Sequence, residues 1–125
     1  MDPSIWPTIE GIQHWFYENC DGDWEHSFGL QITTMDNPGW DVKIDIRETV
    51  LEGLEIFEEF EGARTERDLL PANAYDANYD WYRIWIEQSM FRAYCAPKRL
   101  GFVLDIFLRY AKEAEDRLGS LYPKD

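Results

Sequence analysis

Residues 28–47, FGLQITTMDNPGWDVKIDIR, decide the fold because apolar and polar side chains alternate on both sides of a single turn. In the second half one set is apolar and the other polar: Trp40, Val42, Ile44 and Ile46 against Asp41, Lys43, Asp45 and Arg47. A period of two is typical of strands with one buried face and one wet face. The MDNPGW segment between the halves predicts a β-hairpin with a type II turn over 37–40, in which Pro38 is second and Gly39 third.

A helix is predicted immediately before this hairpin, over residues 8–19, TIEGIQHWFYEN. Four apolar side chains fall on one helical face and are expected to be buried together: Ile9, Ile12, Trp15 and Phe16. Thr8 fits the N-cap of this helix.

The C-terminal half predicts two more strands and a second helix. WYRIWIE at 81–87 and FRAYC at 91–95 are rich in aromatic and β-branched residues, with a turn over 88–90. A helix is then expected to begin at Pro97 and to end near Gly119.

The segments between these elements are harder to assign. Residues 48–69 fit a helix slightly better than a strand from the pattern alone, and 70–80 predict a loop. The sum is a single domain over 1–125 of the α+β class. We expect an antiparallel sheet of four to five strands, with the N-terminal and C-terminal helices packed on one face.

The charge is strongly acidic, with 25 Asp and Glu against 12 Lys and Arg, a net of −13. No Lys or Arg precedes Lys43, and the basic-free stretch 48–61 carries six Glu. Such a surface repels nucleic acid and membranes and attracts a basic protein, although solubility alone is an equally good explanation. Two cysteines make no disulfide framework, and no signal-peptide pattern opens the chain, so we expect a cytoplasmic protein that is a monomer or weak homodimer.

The stretch CDGDWEHSFG, residues 20–29, concentrates side chains that can bind metal or move protons. The calcium-loop pattern fails, because its twelfth position is Ile32, and the Cys and His spacings do not match zinc sites. We therefore expect no metal, no cofactor and no catalytic residue. The alternative is a small metal-dependent hydrolase that uses a cluster of four residues: Asp21, Asp23, Glu25 and His26. The structural interpretation is a turn at 21–23, with Gly22 at positive φ and Trp24 anchored in the core.

Several motifs together resemble one known family. DGDWEH at 21–26 and MDNPGW at 35–40, followed by VKIDI, are similar to the immunity protein 53 family of bacterial polymorphic toxin systems. The similarity continues through single positions and one long segment: Leu51, Gly53, Phe57, Asp80, Trp81, Ala96, Pro97 and LGFVLDIFLRYA at 100–111. It covers roughly residues 9–111.

The resemblance implies an α+β protein that is made beside a toxin gene, neutralises that toxin and is not an enzyme. It also implies a strand over 56–63, which we adopt in preference to the helix. The expected partner is the cognate protein toxin, blocked by occlusion, and a nuclease with a basic cleft would fit the acidic charge.

The candidate toxin-binding residues are acidic or aromatic side chains, of which Trp40, Tyr75 and Tyr79 are expected to be exposed. They are Asp23, Glu25, His26, Trp40, Asp41, Glu55, Glu58, Glu59, Tyr75, Asp76, Tyr79 and Asp80. A second set is expected to shape the turns: Asp21, Gly22, Trp24, Pro38 and Gly39.

Overall fold

A five-stranded antiparallel sheet lies at the centre of the protein, with helices before and after it in the chain. The computed structural model describes residues 7–52, 58–62 and 74–121. The elements are α1 (Thr8–Asn19), α2 (Trp24–Ser27), β1 (Leu30–Met35), β2 (Gly39–Asp45), β3 (Glu58–Glu61), β4 (Tyr82–Glu87), β5 (Met90–Cys95) and α3 (Leu100–Leu121). The strands lie in the order β1-β2-β5-β4-β3, and the α+β class expected from the sequence is confirmed.

The predicted hairpin forms, but its turn differs from the prediction. Met35 pairs with Gly39, so residues 36–38 make the turn and Gly39 is already the first residue of β2. The Asn37–Pro38 peptide bond is cis. Gly39 is absent from the glycines with positive φ, which a type II turn would require there, so that turn type was wrong. Glycine is needed for space instead, because a Cβ on Gly39 would lie 2.6 Å from the carbonyl oxygen of Cys95.

One face of the sheet carries the main core, as the alternation predicts. Val42 and Ile44 of β2 are fully buried, opposite Ala93 and Phe91 of β5. α3 covers this face, and the rings of Phe107 and Phe91 meet edge-on with centroids 4.9 Å apart. Both long helices contribute to this single core, which confirms their expected packing on one face.

The opposite face of the sheet is less wet than its polar residues suggest. Arg83 and Trp85 on β4 are buried, and the Arg83 guanidinium carbon lies 4.7 Å from the Trp85 ring centroid. The guanidinium carbon of Arg92 on β5 lies 5.3 Å from the Trp85 ring centroid and 5.7 Å from the Tyr94 ring centroid. Stacking on aromatic rings is favourable for a guanidinium group, and it accompanies the burial of Arg83 and the half-burial of Arg92 on this face.

The buried face of α1 is rotated relative to the expectation. Ile12 and Trp15 are buried, but Ile9 is 60% exposed and Phe16 is 38% exposed. The reason is the contact with α3 at Gly11, where a Cβ would lie 2.6 Å from Leu108 Cδ1. The close approach at Gly11 turns the stripe Gly11, Ile12 and Trp15 toward the core, so the predicted burial of Ile9 and Phe16 was wrong.

The helix ends also differ from the prediction. Pro7, not Thr8, is the N-cap of α1, and the Thr8 hydroxyl donates to Asp105 Oδ1 at 2.6 Å. α3 begins at Leu100 rather than Pro97 and runs past Gly119. No helix in the described ranges is long and apolar enough to cross a membrane.

The segment that the sequence left ambiguous contains a strand. β3 pairs antiparallel with β4, with Phe60 opposite Arg83 and Glu61 opposite Tyr82. This confirms a strand within 56–63, as the family resemblance implied. Two parts of the predicted segments lie outside the described residues: 53–57 and 63–73.

Candidate functional site

The corner between α1 and β1 is built by carboxylates that accept backbone hydrogen bonds. Asp21 Oδ1 accepts from the N–H groups of Asp23 at 2.9 Å and Trp24 at 2.8 Å. Glu25 reaches back and accepts from the N–H groups of Asp21 and Gly22, both at 3.0 Å. Gly22 takes a φ of 91°, a conformation that glycine adopts without steric cost. Asp21 and Glu25 therefore serve the backbone of this corner.

The same hydrogen bonds set the charge of the corner. The N–H groups of Trp24 and then Asp23 lower the pKa of Asp21 below its ordinary value. The N–H of Glu25 itself, followed by those of Asp21 and Gly22, lowers the pKa of Glu25. Hydrogen bonds to the ionised form favour ionisation, so both carboxylates stay negative at neutral pH.

Trp24 anchors this corner in the core. Its side chain is 3% exposed, and its ring meets those of Trp15 and Phe16 at centroid distances of 5.9 and 6.0 Å. Trp24 Nε1 donates to the carbonyl oxygen of Arg47 at 2.8 Å, which ties the corner to the chain just after β2. One side chain thus joins the first helix, the corner and the hairpin.

Asp21, Asp23 and His26 of the proposed hydrolase cluster are exposed, and Glu25 is half-buried. Asp23 is the N-cap residue of α2 but makes no side-chain capping bond. Across the described ranges, no group of three His, Cys, Asp or Glu side chains is placed to hold a metal ion. The observed geometry uses Asp21 and Glu25 to shape the backbone, and it leaves Asp23 and His26 at the surface.

A second cluster of predicted residues lies where β3, β4 and the start of α3 meet. Glu59 Oε1 accepts from the Tyr82 hydroxyl at 2.8 Å, and Asp80 accepts two hydrogen bonds from Arg99 at 2.6 and 2.8 Å. Arg99 links the pairs, since its guanidinium carbon lies 5.3 Å from the Tyr82 ring centroid. Burial, and next the bond to Glu59, raises the pKa of Tyr82 to about 12, whereas Arg99 lowers the pKa of Asp80.

The predicted aromatic anchors differ in exposure. Tyr75 is 76% exposed, as expected. Trp40 and Tyr79 are half-buried, which corrects their expected exposure. Trp40 Nε1 donates to the carbonyl oxygen of Pro97 at 2.9 Å, and the Tyr79 hydroxyl donates to that of Gly62 at 2.8 Å. Both side chains are positioned by the fold itself.

The remaining acidic candidates fall into different surroundings. Asp76 is exposed, and its Oδ1 accepts from the N–H of Asn78 at 2.9 Å. Asp41 is half-buried on the sheet face opposite the helices, where Arg92 approaches its Oδ1 at 3.6 Å. Glu55 and the side chain of Glu58 lie outside the described part of the structure.

Sequence reasoning missed three exposed apolar side chains on α1. Helical spacing predicts Ile9 and Phe16 in the core, whereas both are exposed, and Tyr17 is 75% exposed. The signal was present in the helical spacing, because Tyr17 lies away from the stripe formed by Ile12 and Trp15.

One comparison with known proteins identifies a family for this chain. A family model described as Immunity protein 53 matches residues 9–112. Comparisons with curated proteins and with solved structures gave no significant match. The family match runs from the second residue of α1 into the middle of α3 and includes both the Trp24 corner and the hairpin. Because it covers most of the sequence, the chain belongs to the Immunity protein 53 family.

Proposed function

We propose that this protein protects the cell that makes it by binding its cognate toxin and covering the basic surface with which the toxin holds its target. Family membership supports an immunity role and hence a toxin as partner. The observation that carries the finer proposal is the charge: a net of −13, with no Lys or Arg in the first 42 residues. An acidic inhibitor docks most readily on a cationic surface.

The class of toxin target follows from the same charge. Nucleases bind phosphates through basic clefts, so an acidic domain seated there would exclude the nucleic acid substrate. A nuclease acting in the cytoplasm is therefore the toxin class that best matches this chain. We propose that one domain, acting as a monomer or weak homodimer, is enough for this blockade.

The exposed members of the predicted set remain the candidates for direct contact. Tyr75 and Asp76 share one exposed turn, and Asp23 and His26 share the α1–β1 corner. Asp80 is less available, because both of its carboxylate oxygens accept bonds from Arg99.

The salt dependence of association tests the electrostatic part of this proposal. The probe is the toxin domain encoded by the neighbouring gene, and association is measured by stopped flow or biolayer interferometry. We expect the association rate to fall about tenfold or more between about 50 mM and 500 mM NaCl, because salt screens exposed charges. We expect the dissociation rate to change much less, because it depends on desolvated contacts.

A matched measurement separates steering from binding. Gel filtration of the mixed proteins at moderate salt should give a stable complex. An association rate that does not change with salt, together with a stable complex, would reject charge steering and keep the immunity role. The absence of any complex with folded protein would count against the proposed function itself.

A further inference from the structure

The outward side of α1 carries an apolar surface that is largely exposed. We define the α1 outer surface as Ile9, Gln13, Phe16 and Tyr17, which share one side of the helix at spacings of three, four and seven residues. Ile9 is 60% exposed, Tyr17 75% and Phe16 38%. These three are half of the six large hydrophobic side chains that are exposed in the described ranges, so the apolar exposure is concentrated here.

The position of this surface follows from the contact between α1 and α3. A Cβ on Gly11 would lie 2.6 Å from Leu108 Cδ1, so α1 meets α3 through its glycine side. Trp15 of α1 packs against α3, and its ring centroid lies 4.9 Å from that of Phe107. The helix therefore satisfies the core with one side and presents a second apolar side to solvent.

The Asp, Glu, Lys and Arg residues that adjoin this surface in the sequence are all acidic. Between residues 7 and 29 there are five acidic residues and no Lys or Arg: Glu10, Glu18, Asp21, Asp23 and Glu25. Glu10 and Glu18 lie on α1 itself, and the pKa of Asp21 in the following corner is lowered by backbone N–H groups. The result is an aromatic and aliphatic centre beside acidic side chains.

That combination discriminates between classes of occupant. Phosphate-bearing partners, both nucleic acid and anionic lipid, are repelled by the acidic residues. A second copy in a two-fold dimer would bring the same acidic side chains against each other. A basic protein surface gains from both features, since aromatic anchors at the centre and opposite charges at the rim are common in protein interfaces.

We propose that the α1 outer surface is the docking face for the cognate toxin, with Ile9 and Tyr17 as apolar anchors against a basic toxin surface. The inference rests on the proposed function and adds the face on which it is exercised. It moves the contact away from the Tyr75 turn and the Glu-rich β3 edge.

The test measures affinity for the toxin domain encoded by the neighbouring gene, using the variant Ile9→Ser/Tyr17→Ser. We expect its Kd to rise by about 100-fold or more, chiefly through faster dissociation, because central apolar anchors dominate interface energies. Val50→Ser is the control, since Val50 is another exposed apolar side chain, at 42%, and lies in the turn after β2, outside the predicted toxin-binding set. We expect this control to stay within about threefold of the unaltered protein.

A second variant keeps the test independent of folding. Gln13→Lys replaces an exposed helical residue by another good helix former and places a positive charge in the centre of the surface. It should melt like the unaltered protein and yet bind at least about tenfold more weakly.

The other outcomes overturn the proposal. Unchanged affinity in the double variant and in Gln13→Lys would do so, as would an equal loss of affinity in Val50→Ser. A double variant that changes only self-association in sedimentation velocity would assign the surface to a second copy. If the unaltered protein binds no toxin at all, the proposed function fails first, and this result is distinguishable because it does not depend on the variants.

Discussion

Replacing Trp24 by alanine is expected to lower the free energy of unfolding by about 3–5 kcal/mol, the usual cost of truncating a fully buried large aromatic side chain. Trp24 is 3% exposed. Its ring centroid lies 5.9, 6.0 and 6.2 Å from those of Trp15, Phe16 and Phe28. The substitution also removes the hydrogen bond that the indole N–H donates to the carbonyl oxygen of Arg47. Urea denaturation followed by circular dichroism measures the loss.

Two controls identify the cause of that loss. Trp24→Phe keeps an aromatic ring but not the indole N–H, and we expect a smaller loss of about 1–2 kcal/mol. His26→Ala, two residues further on, changes an exposed side chain and should leave the unfolding midpoint almost unchanged. Equal losses for His26→Ala and Trp24→Ala would contradict the assignment of the corner to Trp24. They would point back to a structural role for His26 that its exposure does not explain.

Gly39→Ala is expected to be the second most damaging change, at about 2 kcal/mol or more. The added Cβ would lie 2.6 Å from the carbonyl oxygen of Cys95, which belongs to the backbone of the central strand β5. It would also lie 3.3 Å from Met35 Cε. Since backbone atoms cannot move aside cheaply, β2 and β5 must separate locally. Thermal unfolding and denaturant midpoints report the effect.

Gly29→Ala is the matched control because it adds the same atom just before the same hairpin. Nothing lies within 4 Å of a Cβ at Gly29, and its φ is not in the left-handed region. Alanine there should be neutral or slightly stabilising, through reduced freedom of the unfolded chain. A Gly39→Ala protein as stable as Gly29→Ala would show that the close approach between Gly39 and Cys95 is not needed.

Local periodicity was enough to predict α1, β1, β2, β4, β5 and α3, but it favoured a helix in the segment that contains β3 and did not predict α2. Alternation over 40–46 identified the buried face of β2 and of the residue that follows it: Val42, Ile44 and Ile46 are fully buried, and Trp40 is half-buried. The central sheet order could not be obtained in this way. The placement of β5 between β2 and β4 depends on contacts between segments some fifty residues apart.

The errors have a common cause, which is that close contacts between elements are not visible in a single segment. Gly11 lets α1 approach α3 and thereby leaves Ile9 outside the core. Gly39 was read as a turn residue, whereas it allows two strands to meet. On the β4 face, Arg83 is buried because it stacks on Trp85, a contact that charge patterning alone does not predict.

In the candidate site, the turn at 21–23 could be predicted from the sequence, but the exposed side of α1 could not. The motif at 21–26 lies within the range that the family model matches, and the structure shows Asp21 and Glu25 shaping the backbone there. The sequence did not predict the α1 outer surface, because helical spacing places Ile9 and Phe16 on the same face as Ile12 and Trp15. Which apolar side chains of α1 are exposed depends on the side of the helix that packs against α3, and the sequence of α1 alone does not show this.

The most direct test of the central claim is the growth of cells in which the neighbouring toxin gene is induced with or without this chain. Production of the chain is expected to restore growth to the rate of uninduced cells, because the toxin would be held in a complex that covers its target-binding surface. Arrested growth, with the chain soluble, folded and at least as abundant as the toxin, would contradict the account.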